Sequence, residues 1–508
     1  MNALNSFFHC TPLDRDGSIT RCNTIDREDG LRKEVSAMRS IICWVASVLL
    51  AWMPVAAIMA EPELSRVYAP GPYLFLDDHW IAEQSHLERV IQTPERLPEP
   101  LINGVEDENY QPYVSVARTG GDPPFRMWYN TFEKRDVSHL ATITSRDGIH
   151  WDRPHRILED PTRIDIGASV IDEGPEFAVP AQRFKFAFHG HHDGERGLQI
   201  AVSPDGLDYS LIAPGIVLPH NHDICTIYRD PTRDQYGAFV SMMVEDSEWE
   251  ERRRMTFQSV SPDLVNWREP WRITHQLPDE TGNVQFYGMG GVLARGELLI
   301  ALTKVLRDDL NAEPGADDES MGDTEREAAG LGYTVLAWSH DGETWRRDDQ
   351  PFFDRNRNPG TWDRAHAWVD CQLPVDDEVF LYYGGYARGH KVGRHTERQI
   401  GLARLKRDRY VARVAHYADA TLRTPIGKLA ASRLTVNASI DGDFRARVLD
   451  VNGELYAGFD WDDCEPVTEG DIAIDVNWGK PLEILEGKPV AFEFRFNQSS
   501  LFAFDLWK

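Results

Sequence analysis

The sequence predicts an all-β protein, a five-bladed β-propeller followed by a small C-terminal β-sandwich. Three observations predict it. Four segments of the form Ser-x-Asp-x-x-x-aromatic recur along the chain, short β-branched and aromatic runs surround each of them, and the pattern changes to plain alternation after Asp419.

The first 60 residues stand outside that fold. Residues 41 to 60, "IICWVASVLLAWMPVAAIMA", form an apolar run preceded by Arg39 and ending in the small residues Ala57 and Ala60. A basic flank, an apolar core and a small-residue end make a signal peptide. Translation is therefore expected to start at Met38, residues 1–60 to be an extension plus signal peptide, and the mature chain to begin near Glu61, secreted or periplasmic. The six cysteines then reduce to Cys225, Cys371 and Cys464. An odd, widely spaced set without Cys-x-x-Cys supports neither a zinc site nor a disulfide framework.

The propeller is expected over 61–419. Its tags are "SRDGIHW", "SPDGLDY", "SPDLVNW" and "SHDGETW", and their serines, Ser145, Ser203, Ser261 and Ser339, lie 58, 58 and 78 residues apart. The long interval contains "RDDLNAEPGADDESMGDTEREAAG" from Arg307 to Gly330, acidic and poor in apolar residues, which reads as a solvated inserted loop. It lacks the strict Asp-x-Asp-x-Asp-Gly spacing of a calcium loop. Asp-Gly is a hairpin signal, because Gly accepts positive φ and the Asp side chain bonds backbone amides in the turn. Runs such as "RMWYNTF", "FKFAFHG", "LLIALTKV" and "VFLYYGG" are short and bounded by turns. Four strands per repeat, at such a period, is the signature of propeller blades. Inner strands are expected at 110–117, 166–171, 224–229, 284–293 and 367–373, giving five blades. The run "KRDR" before "YVARVA" is a degenerate fifth tag, and "YLFLDDHWI" near the start is expected to close the ring.

From 420 to 508 apolar and polar residues alternate at period two, with hairpin turns at Asp441-Gly442 and Asn452-Gly453. That pattern makes a small β-sandwich.

The formal net charge of −28 excludes the basic footprint that nucleic acids and anionic membranes reward. No nucleic acid is expected as a partner, nor a membrane once the signal is cleaved, and a neutral or cationic ligand fits better. In a propeller the residue opening each inner strand faces a shared central funnel. "DIGASVID" and "DICTIYRD" are offset by one tag period, so Asp165 and Asp223 occupy equivalent places on neighbouring blades. Asp172 and Asp230 fall seven residues later, in the outward turn.

With its tags, its appended sandwich and local stretches such as "IGLARLKRDRYVA" and "GFDWDDCEPV", the chain resembles the five-bladed propeller glycosidases, in particular glycoside hydrolase family 32 and its relatives in family 43. The resemblance is one of architecture over residues 70–508. It implies that Asp223 opens an inner strand where the family carries its Arg-Asp-Pro aspartate, with His222 in place of Arg. The tripeptide Arg229-Asp230-Pro231 then falls on the following turn. The family's Trp-x-Asn-Asp-Pro-Asn-Gly nucleophile and Glu-Cys acid motifs are absent, so a fructoside substrate is not implied.

Glycoside hydrolysis requires two carboxyl groups across the scissile bond, one protonated and one ionised. By position, the candidates are Glu108, Asp165 and Asp223, with Asp165 or Asp223 as base or nucleophile and Glu108 or Glu280 as acid. His222, Glu280, Tyr287, Trp362, Asp363, His366 and His390 are expected to bind substrate, the aromatics by stacking on sugar faces; Tyr110 is a further candidate platform. "FHGHHDG", Phe188 to Gly194, is histidine-rich, but its histidines are expected between outer strands, so no metal ligands are assigned. No cofactor is expected, although the funnel leaves room for a structural calcium ion. The expected function is a secreted glycoside hydrolase acting on an oligo- or polysaccharide. The alternative is a non-catalytic carbohydrate-binding propeller that has lost its acids. A sialidase fits less well, since its Asp-box has one more residue between Asp and Gly and its fold six blades.

Overall fold

The computed structural model describes residues 66–104, 113–134, 137–246, 249, 252–312, 328–392 and 398–508. The proposed signal peptide, Glu108 and Tyr110 lie outside them.

Five units of four antiparallel strands follow one another, with a fifth short strand, Leu218–Pro219, added to the second and a parallel pairing of Gly332 with His366 joining the fourth to the fifth. Blade 1 is Val114–Arg118, Phe125–Lys134, Val137–Ser145 and Arg156–Ile157; blade 2 is Ile166–Asp172, Phe184–His192, Glu195–Ser203 and Ser210–Leu211. Blade 3 is Cys225–Asp230, Gln235–Val244, Arg253–Ser261 and Trp271–Arg272; blade 4 is Val284–Arg295, Leu298–Arg307, Leu331–Ser339 and Arg346–Arg347. Blade 5 is His366–Val375, Glu378–Tyr386 and Gln399–Lys406, completed by Glu95–Arg96 from the other end of the chain. The first strands of the five units touch in cyclic order, and blade 5 returns to blade 1, which closes a five-bladed propeller. Arg307 and Leu331, which flank the acidic insertion, pair across adjacent strands of blade 4, and residues 313–327 of the insertion lie outside the described residues.

The tag explains how blades meet. Each ends a third strand, and its Ser Oγ accepts the amide of the residue three along: Gly148 at 2.9 Å, Gly206 at 3.0 Å, Leu264 at 2.9 Å and Gly342 at 2.9 Å. The tag Asp Oδ1 accepts two further amides; in blade 3 these are Val265 at 2.9 Å and Asn266 at 2.7 Å. The turn requires positive φ at its fourth residue, +75° at Gly148, Gly206 and Gly342. It also aims that residue's carbonyl at the adjacent blade. Tyr382 of blade 5 donates to Gly148 O at 2.9 Å, Trp128 of blade 1 to Gly206 O at 2.8 Å, and Gln258 of blade 3 to Gly342 O at 2.7 Å. In the third tag Leu264 holds φ +69° at a position where Gly would be unstrained. Its side chain is buried against Ala187 and Leu198 of blade 2, so apolar burial joins blades 2 and 3 where a hydrogen bond joins the others. The fifth tag differs more: Asp408 follows the third strand of blade 5 at φ +64° but is buried in an ion pair with Arg295 of blade 4.

The sandwich begins earlier than the alternating C-terminal pattern indicates. One of its sheets orders Val67–Tyr68, Gly427–Leu429, Pro489–Phe496, Ala420–Arg423 and Glu83–Ser85; the other orders Asp471–Asp475, Arg433–Ile440, Ser499–Trp507, Val411–Ala415 and Leu87–Ile91. The expected boundaries of 61–419 and 420–508 are therefore corrected: residues 67–91 and 411–415 pair within the sandwich. "YLFLDDHWI" does not close the ring, because Gly71–Leu74 pairs with Ser499–Trp507 and Tyr73 stacks on Phe504 at 4.7 Å. Closure falls to the two-residue strand Glu95–Arg96, whose Arg96 makes an ion pair with the buried Asp363 of blade 5. The sandwich shares a core with blades 4 and 5, in which Leu74, Leu76, Tyr410 and Ala503 meet Ile300, Trp338 and Leu381.

Two outcomes test this framework. Gly206→Ala places a Cβ 2.8 Å from Trp128 Cζ2 at φ +75°, and should lower unfolding free energy by roughly 2 kcal/mol with the denaturant m-value unchanged. Arg96→Ala strands the Asp363 carboxylate, of which only 2% of the side chain is exposed, and should cost about 3–5 kcal/mol by the same measurement.

Candidate functional site

Antiparallel pairing places the residue opening an inner strand beside the end of the second strand, so both reach the same mouth of the channel. In blade 2 the Asp165 amide donates to His189 O at 3.0 Å. Side chains two apart share a strand face, which sends His189 and His191 toward the same carboxylate. Asp165 Oδ2 lies 3.3 Å from His189 Nδ1 and hydrogen-bonds His191 Nδ1. Burial opposes ionisation of Asp165, but the two imidazoles outweigh it and hold its pKa below the ordinary carboxylate value. The His220 ring stands 5.2 Å from that of His189. Burial, assisted by His189, pushes the His220 pKa down to about 3, so it is neutral at physiological pH.

Blade 3 contributes the next carboxylate. Asp223 keeps 38% of its side chain open, hydrogen-bonds His222 Nδ1, and lies 3.8 Å from Arg254 Nη2. Arg254 Nη2 also bonds His222 Nε2 at 2.9 Å, and its guanidinium lies 3.5 Å above the Tyr287 ring. Desolvation raises the Asp223 pKa, but Arg254 and His222 more than offset it, leaving the carboxyl well below its usual range.

Blades 4 and 5 line the other side. Tyr287 Oη and His390 Nε2 lie 2.8 Å apart, both buried. His366 opens the inner strand of blade 5, fully buried and stacked on Tyr386 at 4.7 Å, and burial holds its imidazole neutral. Further in, Lys304 and Asp370 form a buried ion pair, and burial raises the Asp370 pKa against the pull of Lys304. Tyr113 lies under the Lys304 ammonium, 4.8 Å from its ring centre. Burial raises its phenol well above the ordinary range, and the charges of Asp223, Tyr386 and Asp370 add to that. A cavity of about 290 Å³ runs inward from Tyr113, lined by inner-strand residues of all five blades including Asp370. Among the described residues, Tyr113 Oη, Arg254 Nε and Nη1, His189 Nε2, and both nitrogens of His220 and His366 are buried without a hydrogen-bond partner. Such concentration of unsatisfied polar groups at one mouth is what a polar ligand relieves.

The mouth thus brings together Asp165, His222, Asp223, Tyr287, His366 and His390. Three expected site residues are elsewhere. Glu280 accepts two bonds from Arg347 and one from the Leu277 amide at 2.8 Å, a structural ion pair that leaves no free carboxyl for proton transfer. Asp363 is locked to Arg96 and accepts the Tyr383 hydroxyl at 3.0 Å. Trp362 stacks on Tyr383 and donates to Pro98 O at 3.0 Å, so its face is used inside the protein rather than for sugar. Asp230 accepts the amides of Thr232 and Arg233, both at 3.2 Å, and pairs with the Arg233 guanidinium at 2.9 Å, which is the work of a turn residue. The histidines of "FHGHHDG" do not sit between outer strands: Phe184–His192 is the second strand of its blade, and its end returns to the mouth. The period-two spacing of His189 and His191 could have shown this. Arg254, Lys304 and Asp370 carry no local motif, and only the sheet pairing reveals them.

No family model matches the chain, and no curated protein matches it. Among solved structures, it is similar to an N-acetylgalactosamine deacetylase from F. plautii in complex with blood group B trisaccharide, with 12% identity and a TM-score of 0.42 over 64% of this chain and 96% of that one. It is similar to a putative glycoside hydrolase from Bacteroides ovatus, with 14% identity and a TM-score of 0.42 over 63% and 98%. A β-1,2-mannobiose phosphorylase from Listeria innocua gives 13% identity and a TM-score of 0.38 over 66% and 90%. What the chain does must be read from its own residues.

Proposed function

We propose that the protein is an exported glycoside hydrolase that cleaves an oligo- or polysaccharide at the mouth of the propeller. One observation carries this reading: Asp223 stands 38% open at the mouth beside Arg254, Asp370 lines the cavity behind it together with Tyr113, and their surroundings push the two carboxyls in opposite directions. Paired carboxyls with separated pKa values divide the roles of a glycosidase. Asp223, kept ionised by Arg254 and His222 and open to solvent, is the base or nucleophile. Asp370, desolvated in the channel, is the proton donor: its partner Lys304, unlike the permanently charged guanidiniums that hold Glu280 and Asp363, can pass a proton to the carboxyl it pairs with. Tyr113, Arg254 and His366 offer unpartnered polar atoms to sugar hydroxyls. Tyr287, His222 and His390 frame the space behind them.

A second reading, a carbohydrate-binding propeller without catalysis, draws support from Glu280 and Asp363, both of which are committed to structural ion pairs. The two readings part on one experiment, hydrolysis of a broad glycan panel by the wild type and by Asp223→Asn. The hydrolase reading expects cleavage of a panel member, a fall in kcat of roughly 10²–10⁴-fold in the variant, and retained glycan binding. Binding without cleavage by the wild type favours the module, and undiminished turnover in Asp223→Asn removes that residue from the mechanism.

The pH profile follows with a definite sign. Turnover needs Asp223 ionised and Asp370 protonated, so it falls as pH drops through the lowered pKa and falls again as pH rises through the raised one. Lys304→Met removes the cation that lowers the Asp370 pKa, and should move the alkaline limb of kcat to higher pH while leaving the acid limb in place. An alkaline limb that does not move excludes Asp370 as the donor.

A further inference from the structure

We infer that Asp165, His189 and His191 form a binding site for a first-row divalent transition metal, with zinc as the best fit. The three side chains each offer one ligand atom, and those atoms all lie within 4.8 Å of one another. Metal–ligand bonds near 2.0–2.2 Å in a tetrahedral shell place ligand atoms roughly 3.3 Å apart, and His189 Nδ1 stands 3.3 Å from Asp165 Oδ2. His191 Nδ1 hydrogen-bonds the same carboxylate oxygen directly, a bond that an ion would replace by moving the two atoms apart to that spacing.

Burial supplies the independent sign. His189 is 4% exposed, its Nδ1 meets only the Asp165 carboxylate at 3.3 Å, and its Nε2 has no hydrogen-bond partner among the described residues. A buried imidazole left in that state costs free energy that a ligated one does not. Imidazole and carboxylate donors together suit zinc and its neighbours, whereas calcium and magnesium take oxygen shells. The donors are also set on rigid elements, since His189 and His191 lie on a central strand of blade 2 and the backbone of Asp165 is bonded to that of His189.

Three protein ligands leave at least one coordination position for water or a ligand oxygen. His191 is the exposed member, with 57% of its side chain open, so that position can be reached from solvent. Arg163 Nε lies 3.7 Å from Oδ1 of Asp165, the oxygen facing away from the two imidazoles. His220, with both nitrogens buried and unpartnered beside His189, stands behind the site.

The test is metal uptake by the full-length, untagged chain, stripped with chelator and then titrated with Zn²⁺ by calorimetry and with Co²⁺ by visible absorption. Wild type is expected to bind one equivalent of Zn²⁺, to give a Co²⁺ ligand-field band, and to melt at higher temperature with Zn²⁺ present. His189→Ala and His191→Ala should each weaken Zn²⁺ binding by about tenfold or more and abolish the cobalt band. Circular dichroism establishes that each variant is folded. His192→Ala, which removes the adjacent exposed histidine on the opposite strand face, should bind as wild type does. Absence of stoichiometric uptake by wild type overturns the inference. So does equal affinity in the His189→Ala/His191→Ala double variant. Uptake is measured without glycan, so its failure leaves the hydrolase reading standing, and a failure to cleave glycans leaves the metal site standing.

Discussion

The turn that ends the third strand of blades 1, 2 and 4 is the constraint on which the structure depends. One serine and one aspartate gather three backbone amides, a left-handed residue follows, and its carbonyl is delivered to the neighbouring blade. Because the acceptor is a backbone atom in a fixed turn, the hydrogen bond sets where the next blade stands as well as holding it there. Repeated around the ring, that geometry decides which residues face the axis. The tag carboxylates remain ionised for the same reason. The Asn266 amide, the Asn266 side chain and the Val265 amide hold Asp263 at about 2, so the tag of blade 3 keeps its full contribution above the ordinary aspartate range and loses it only as pH falls toward that value.

The ring is closed at blade 5, and there the chemistry differs. Two residues of strand, Glu95 and Arg96, complete the blade, and the buried Arg96–Asp363 pair compensates for the short ladder. Residues 67–91, immediately before that strand, belong to the sandwich, as does the chain after Tyr410. Both ends of the propeller are thus anchored in one sandwich. One sheet of that sandwich packs on blades 4 and 5 through Leu74, Val411 and Ala503, while the mouth is built by polar side chains of blades 2 to 5. Asp165, Asp223 and the histidines around them occupy that mouth.

The sequence made the propeller legible because the tag is local: its serine, aspartate and glycine act within seven residues, and their spacing repeats. The inner strands could be placed from the same period, as could the mouth positions of Asp165 and Asp223. The closing strand was not legible, since a two-residue strand has no periodicity, while "YLFLDDHWI" has a strong one and uses it in the sandwich. Glu280, Trp362 and Asp363 had the right residue types at plausible positions, but Arg347, Tyr383 and Arg96, which occupy them, lie far away in sequence. Arg254 and Asp370 were missed for the converse reason. Their importance arises from what is stacked or buried against them, and no local pattern encodes that.

We propose a glycan held at the mouth between the ionised Asp223 and the desolvated Asp370. That placement is tested most directly by a crystal structure of Asp223→Asn with a bound oligosaccharide. A sugar ring against Tyr113, with its glycosidic oxygen directed at Asp370, is the expected result. A glycan bound on the sandwich, or at the opposite end of the channel beside Asp172 and Arg229, contradicts it.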